Sequence, residues 1–445
     1  MNQEDIRSRT PEDLNAFWMP FTANRQFKKK PRLFSSAKGM YYTTTDNRKV
    51  LDSCAGLWCC NLGHGNEEIE QAVTTQLKQL DYAPSFQMGH PLPFVLAKRL
   101  ISLCQNNLQQ VFFTNSGSEA VDTALKIALA YHQLNGNPEK TRLIGREKSY
   151  HGVGFGGISV GGMINNRKNF GGLLPDVDHL PHTLDEQQRF SKGLPEKNGV
   201  ELANGLTQLV QMHGASTIAA VIVEPVSGSA GVVVPPKGYL QRLREICDQH
   251  DILLIFDEVI TGFGRLGGLT AAQRFDVKAD IITLAKGLTN GCIPMGAVLV
   301  DEKISKVFMN GDEDLIELFH GYTYSGHPVA SAAALASLNI YQQNDLFVRV
   351  QELESYWEQA IHSLADLPGV IDIRNIGLMA GVEFDATDNK AGRKGYSIFT
   401  ECFHHHDLLV RASGDTIALS PPLIISEQEI DQIIEKLSLA VKAVN

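Results

Sequence analysis

The chain has no apolar run approaching the ~20 residues of a membrane-spanning helix. Its opening segment, MNQEDIRSRTPEDL, carries mixed charge without an apolar centre, so it does not read as a signal peptide. Cysteine is sparse and odd in number: seven residues, with Cys59 and Cys60 adjacent and no CxxC pair anywhere. That excludes an even disulfide framework and a paired-cysteine zinc site, and it points to a reducing cytoplasm. Basic charge is also short, with 40 Lys and Arg against 50 Asp and Glu, a net charge of −10. Nucleic acid is a poor partner for such a surface, and the basic run from Arg25 to Arg32 reads as a solvated loop. There is no internal repeat and no low-complexity tract.

What is present is an ordinary globular composition over 445 residues, 43% hydrophobic and 20% charged. That length exceeds the size at which one core stops growing, so two domains are expected. The most informative pattern is a set of apolar runs that end on a charge. DILLIFD ends on Asp257, ADIITLAK on Lys286, and STIAAVIVE on Glu224, while GYLQRLREICDQHD has helical spacing of Leu240, Leu243 and Ile246. Strand, helix, strand and a further strand make the signature of a buried, mostly parallel sheet. A single such charge is ordinarily a solvated strand end. In an open α/β sheet, however, ligands sit outside the carboxyl ends of the strands, so Asp257 and Lys286 point at one pocket. A lysine and a carboxylate on one ligand suggest pyridoxal phosphate, which needs an amine to hold its aldehyde as a Schiff base and an acid partner for its ring nitrogen.

Upstream, VFFTNSGSEAVDTALKIALAYH reads as a strand, a glycine turn and an amphipathic helix with Val121, Leu125, Ala128 and Leu129 on its apolar side. Ser116 and Glu119 have capping-box spacing, which puts the Gly117 and Ser118 amides at the helix start, where phosphate binds. Two GxGxxG patterns, at Gly152, Gly154 and Gly157 and at Gly262, Gly264 and Gly267, lack the strand-to-helix placement of a dinucleotide fingerprint, and the first continues as ISVGGM with no helical period. The run His404, His405, His406 lacks a second metal-spaced pair and reads as a solvated helix end.

The segments NSGSEAVDTALK, REKSYHGVGFGG, VIVEP, IFDEVITGFGR, LAKGLTNGCIPMGAV and HGYTYSGHPV resemble the class III aminotransferases, pyridoxal-phosphate enzymes of fold type I. WMPFTANRQF, GLWCCNLGHG, LDYAPSFQMGHP and RNIGLMAGVEF narrow the likeness to ω-amino acid:pyruvate, or β-alanine:pyruvate, aminotransferases. The resemblance implies an α/β fold: a large cofactor-binding domain over residues 61–327 with a mostly parallel central sheet, and a smaller α+β domain from residues 1–60 and 328–445. It implies that Lys286 carries the cofactor and shuttles the proton, and that Asp257 pairs with the pyridine nitrogen. Tyr150 and Val259 would cover the two ring faces, Gly117 and Ser118 would hold the phosphate, and Thr323 would reach that phosphate from the neighbouring subunit of a homodimer or dimer of dimers. Glu224 would support the pocket, Trp58 and Phe86 would wall the substrate, and Arg411 would grip its carboxylate. The expected reaction moves the amino group of β-alanine or another ω-amino acid or amine to pyruvate. The alternatives are an aminomutase or a 2-oxoglutarate-dependent ω-aminotransferase on the same fold, a non-catalytic cofactor binder, and a nicotinamide oxidoreductase.

Overall fold

The computed structural model describes residues 14–104, 107–386 and 391–445; the reading of the first thirteen residues as a non-signal segment of the small domain lies outside them. Fifteen strands fall into three sheets among the described residues. The N-terminal strands β1 (Phe34–Lys38), β2 (Tyr41–Thr44) and β3 (Lys49–Asp52) form an antiparallel set. The central strands are β4 (Leu108–Thr114), β5 (Arg142–Arg146), β6 (Val177–Leu180), β7 (Ile218–Val223), β8 (Leu253–Asp257), β9 (Ile281–Leu284) and β10 (Gly296–Asp301). The C-terminal strands are β11 (Val370–Ile376), β12 (Met379–Phe384), β13 (Leu408–Leu409), β14 (Arg411–Ser413) and β15 (Thr416–Leu419).

The central sheet has the order β4-β10-β9-β8-β7-β5-β6. Strands β9 through β6 are parallel, and β10 runs antiparallel to both β9 and β4. The apolar runs are continuous because both faces of this sheet are buried. One face, with Ala220, Ile222, Leu253 and Ile255, packs under the Gly117–Leu134 helix through Val121, Ala124, Leu125 and Ala128. The other, with Val221, Val223, Leu254 and Phe256, joins a core containing Leu240, Leu243 and Ile246 of the Tyr239–His250 helix. At ~25 cal/mol per Å² of apolar area, each such fully buried Leu, Ile or Val contributes about 1.5–3 kcal/mol.

Strands β11, β12, β15 and β14 form an antiparallel sheet, while β13 leaves it to pair in parallel with β3 through Leu408–Leu51 and Leu409–Asp52. The two ends of the chain are thereby joined: Ser53 Oγ donates to the Leu409 carbonyl at 2.5 Å and Ser420 N to the Ser53 carbonyl at 2.7 Å. The long Pro328–Gln343 helix also reaches the cofactor-motif region, where Tyr341 donates its hydroxyl to the Gly287 carbonyl at 2.9 Å.

Three local expectations are corrected. The basic run from Arg25 to Arg32 is not a solvated loop: Asn24–Lys29 form a helix, and the Arg32 guanidinium lies over the Phe27 and Phe399 rings at 5.0 and 5.4 Å. Residues Phe155–Val160 form a short helix although the pattern continues as ISVGGM with no helical period; the half-buried Asp122 carboxylate accepts the Gly157 N–H at 2.8 Å and supplies tertiary support that the pattern lacks. The spacing of Ser116 and Glu119 is used differently from a capping box. Ser116 Oγ accepts the Glu119 N–H at 3.2 Å, but the Glu119 carboxylate reaches one residue further back, to the Asn115 N–H at 2.7 Å. No described helix is long and apolar enough to cross a membrane.

Candidate active site

A cavity opens at the carboxyl ends of β7, β8 and β9, lined in part by Gly117, Ser118, Tyr150, Glu224, Asp257, Val259 and Lys286. These seven come from five separate motifs; the strand ends and the helix start pointed to Glu224, Asp257, Lys286, Gly117 and Ser118, and the resemblance added Tyr150 and Val259. His151, Gly152 and Ile260 complete the lining and were not foreseen.

Asp257 ends β8 and is 5% exposed. Its Oδ1 accepts the Val259 N–H at 3.2 Å and the Thr283 hydroxyl at 3.0 Å, and its Oδ2 lies 2.8 Å from His151 Nδ1. Three donors fix the carboxylate, and the fully buried His151 leaves its other nitrogen, Nε2, without a partner. Glu224, at the end of β7, accepts the Tyr150 N–H at 2.9 Å and thereby sets the tyrosine's backbone. Burial raises the Glu224 carboxyl above its ordinary range. Arg146, ending β5, steadies the same turn by donating to the Glu224 carbonyl at 2.8 Å and to Ser227 Oγ at 2.7 Å.

Lys286 sits two residues past β9 with φ of +49°, a left-handed conformation that costs a non-glycine residue free energy and is concentrated at functional sites. Burial lowers its amine to about 8, because a charged ammonium loses its hydration there. Asp257, Cys59 and Glu224 oppose that shift, and Arg411 adds to it by repulsion. Such an amine is partly neutral near physiological pH and can act as a nucleophile or a base.

At the opposite wall, the Gly117–Leu134 helix begins with amides that have no acceptor within the helix. A Cβ on Gly117 would lie 2.7 Å from Val259 Cγ1, and one on Gly152 would lie 2.5 Å from Ser118 Oγ, so glycine at both positions allows the walls to close. Ser118 Oγ accepts the Val153 N–H at 3.1 Å, which leaves its own proton to donate. Free amides, a hydroxyl and a helix N-terminus suit a phosphate. The cavity therefore fits pyridoxal phosphate at both of its ends: anion donors on one side, and a fixed carboxylate with a partly neutral lysine on the other.

Four expected site residues do not line this cavity. Trp58 is 2% exposed, in a turn where Ala55, Gly56 and Trp58 all have positive φ. Asp52 holds that turn by accepting the Cys54 N–H at 2.9 Å and the Gly56 N–H at 2.7 Å, with His64 Nε2 at 2.8 Å from its Oδ2. Arg411 opens β14, two residues past the β13–β3 pairing, and its charge acts on Lys286, Tyr150 and Cys54. Thr323 and Phe86 instead share an exposed cluster. Tyr82 donates its hydroxyl to the Thr323 carbonyl at 3.1 Å, and a Cβ on Gly321 would lie 2.8 Å from the Phe86 ring. The His404–His406 run ends the Arg393–His405 helix, and no group of three metal-ligating side chains occurs among the described residues.

The family model for class III aminotransferases matches residues 22–441. An ω-aminotransferase of Caulobacter vibrioides is 57% identical over 426 residues, 96% of this chain and 97% of that protein. A β-alanine–pyruvate aminotransferase of Pseudomonas aeruginosa is 49% identical over 438 residues, 97% and 96% of the two chains. Among solved structures, a PLP-bound amine transaminase from an uncultivated Pseudomonas species superposes with a TM-score of 0.91 at 35% identity, covering 98% of this chain and 100% of that one. With the lysine, the carboxylate and the phosphate cradle in one cavity, the chain belongs to the class III aminotransferases, and its cofactor is pyridoxal 5′-phosphate.

Proposed function

We propose that this enzyme transfers the amino group of β-alanine and related ω-amino acids or amines to pyruvate, giving alanine and an aldehyde or ketone such as malonate semialdehyde. The observation that carries the reading is Arg411. Its guanidinium forms no ion pair among the described residues, yet it is near enough to Lys286 to act on its charge. No arginine lines the cofactor cavity, and the buried Arg146 and Arg265 donate to carbonyl groups of the chain. One free guanidinium grips one carboxylate, as in pyruvate and β-alanine. A 2-oxoglutarate would bring a second buried charge without a partner, which is costly. The names of the relatives above support the same substrate pair.

Pyridoxal phosphate, when bound, supplies an electrophilic carbon and an electron sink. We assign Lys286 Nζ to attach the cofactor and to carry the proton between the substrate and cofactor carbons. Asp257, held by Val259, Thr283 and His151, keeps a proton on the ring nitrogen. Tyr150 and Val259 confine the ring, and Gly117 and Ser118 hold the phosphate. Glu224 orients Tyr150. Trp58 walls the substrate, Phe86 does so from its place beside Thr323, and Thr323 completes the phosphate site of a neighbouring subunit in a homodimer or dimer of dimers. The test is single-turnover kinetics of wild type and Arg411→Ala with β-alanine and with a simple arylalkylamine, together with pyruvate against 2-oxoglutarate. We expect Arg411→Ala to cost about 2–5 kcal/mol for the carboxylate donor, the usual penalty for truncating a buried charge pair. That is roughly 30-fold to several-thousand-fold in kcat/KM. The amine without a carboxylate should lose much less. Equal losses for both donors, or a preference for 2-oxoglutarate, sinks the proposal.

A further inference from the structure

Cys59 and Cys60 have no role in the chemistry above, yet they stand beside it. Their Sγ atoms are 3.8 Å apart, in consecutive residues that directly follow Trp58. Both side chains are half-buried. The pair presses on the turn that follows Lys286. A Cβ on Gly291 would lie 2.9 Å from Cys59 Sγ and 3.3 Å from Cys60 Sγ, and the Gly291 N–H donates to the Lys286 carbonyl at 3.2 Å. On the other side, a Cβ on Gly56 would lie 3.4 Å from Cys60 Sγ and 3.7 Å from Cys59 Sγ. The sulfurs are thus wedged between two left-handed glycines, one in the Trp58 turn and one in the Lys286 turn.

We infer that Cys59 and Cys60 form a modification site that reacts with low-molecular-weight disulfides and closes as a Cys59–Cys60 disulfide, displacing the Lys286 turn. No third His, Cys, Asp or Glu joins them in a metal-binding group among the described residues, so two-electron oxidation suits the pair better than metal binding. The hydrogen bond between the two thiols lowers Cys59 and raises Cys60, which makes Cys59 the attacking thiolate and Cys60 the thiol that gives up its proton second. Burial instead raises the thiols of Cys54, Cys104, Cys247, Cys292 and Cys402.

The chemistry takes two exchanges. Cys59 thiolate attacks one sulfur of oxidised glutathione, forming a mixed disulfide and releasing one glutathione thiolate. Cys60 then loses its proton and attacks Cys59 Sγ, forming the internal bond and expelling the second glutathione. Two protein thiols are oxidised and one glutathione disulfide is reduced to two thiols. Closing the sulfurs to the ~2.05 Å of a disulfide bond draws them in by more than 1 Å, and the wedge between Gly56 and Gly291 transmits that movement to Trp58 and Lys286.

The test treats the cofactor-loaded enzyme with oxidised glutathione, blocks remaining thiols with an alkylating reagent and maps the peptide containing residues 59 and 60 by mass spectrometry. The expected product has lost two hydrogens, with neither glutathione nor alkyl group at either cysteine. Transamination should fall on the order of a hundredfold, the scale set by about a 1 Å misplacement of reacting groups, and dithiothreitol should restore it. Cys60→Ser should stop at a stable glutathione adduct on Cys59, and Cys292→Ser should behave as wild type. A wild-type protein without the 59–60 disulfide, a disulfide from either cysteine to Cys292, or an internal disulfide with unchanged turnover overturns the inference. The mapping does not depend on which donor or acceptor the enzyme prefers, so its outcome is separable from that of the substrate proposal.

Discussion

At Lys286, burial and charge pull in opposite directions, and burial wins, bringing the amine to about 8. Only the neutral amine attacks an aldehyde, so capture of pyridoxal phosphate by the cofactor-free protein should speed up as pH rises through about 8 and then level off. Stopped-flow absorbance measures this; a rate that is flat across that range contradicts it. The folded pKa is lower than the ordinary lysine value of 10.5. The unfolded chain therefore holds more protons between those two values, and the cofactor-free fold should gain stability as pH rises from about 8 toward 10.5. Asp257→Asn keeps the size of a side chain held by three neighbours and removes its charge. It should retain cofactor while turnover falls on the order of a hundredfold to a thousandfold, the scale for losing one preorganised electrostatic partner. Turnover near wild type, with cofactor content measured by absorbance, argues against a ring-nitrogen role. Asp257 and Lys286 were legible in the sequence because each interrupts an apolar run. His151 was not, since it meets Asp257 across 106 residues and nothing local marks the encounter.

Elements were legible to the extent that burial imposes a pattern. Strands β7, β8 and β9 are covered on both faces and read as unbroken apolar runs, while the Tyr239–His250 helix is covered on one side and shows its period. The Phe155–Val160 helix escaped because contacts from Asp122 sustain it, and such contacts leave no periodic trace. The same physics makes Glu258 a prediction at this scale. Its fully buried carboxylate accepts the N–H groups of Ala271 and Ala272, at the start of the Ala271–Phe275 helix, and the Thr261 hydroxyl at 3.1 Å. Glu258→Gln turns one acceptor into a donor and leaves a backbone N–H unpaired. We expect a loss of about 1–3 kcal/mol, read as a lower denaturation midpoint in urea; an unchanged midpoint shows that the turn is held by other contacts.

For the whole molecule, one group of exposed apolar residues lies near the Thr323 loop. Phe86, Met88, Phe94, Phe319 and Tyr324 are all more than half exposed, at 59%, 70%, 71%, 91% and 58%. An apolar surface of that kind ordinarily marks an interface. Sedimentation should show a dimer or larger assembly, and dilution should abolish activity together with assembly; a fully active monomer refutes this. The two stretches that the resemblance assigns to one small domain, residues 1–60 and 328–445, include β3 and β13, which pair across more than 350 residues of sequence, and the Pro328–Gln343 helix touches the Lys286 turn. Such long-range joins leave no mark on local composition.

The separation of Thr323 from the cavity of its own chain has a genetic corollary. If each catalytic centre draws its lysine from one polypeptide and its threonine from the other, two defective alleles can rescue each other. Co-expressed Lys286→Ala and Thr323→Ala chains would pair into hybrids with one centre doubly impaired and the other fully wild type. At limiting cofactor, the mixture should outperform the sum of the two mutants assayed apart. A strictly additive result would place both groups in the same polypeptide's centre.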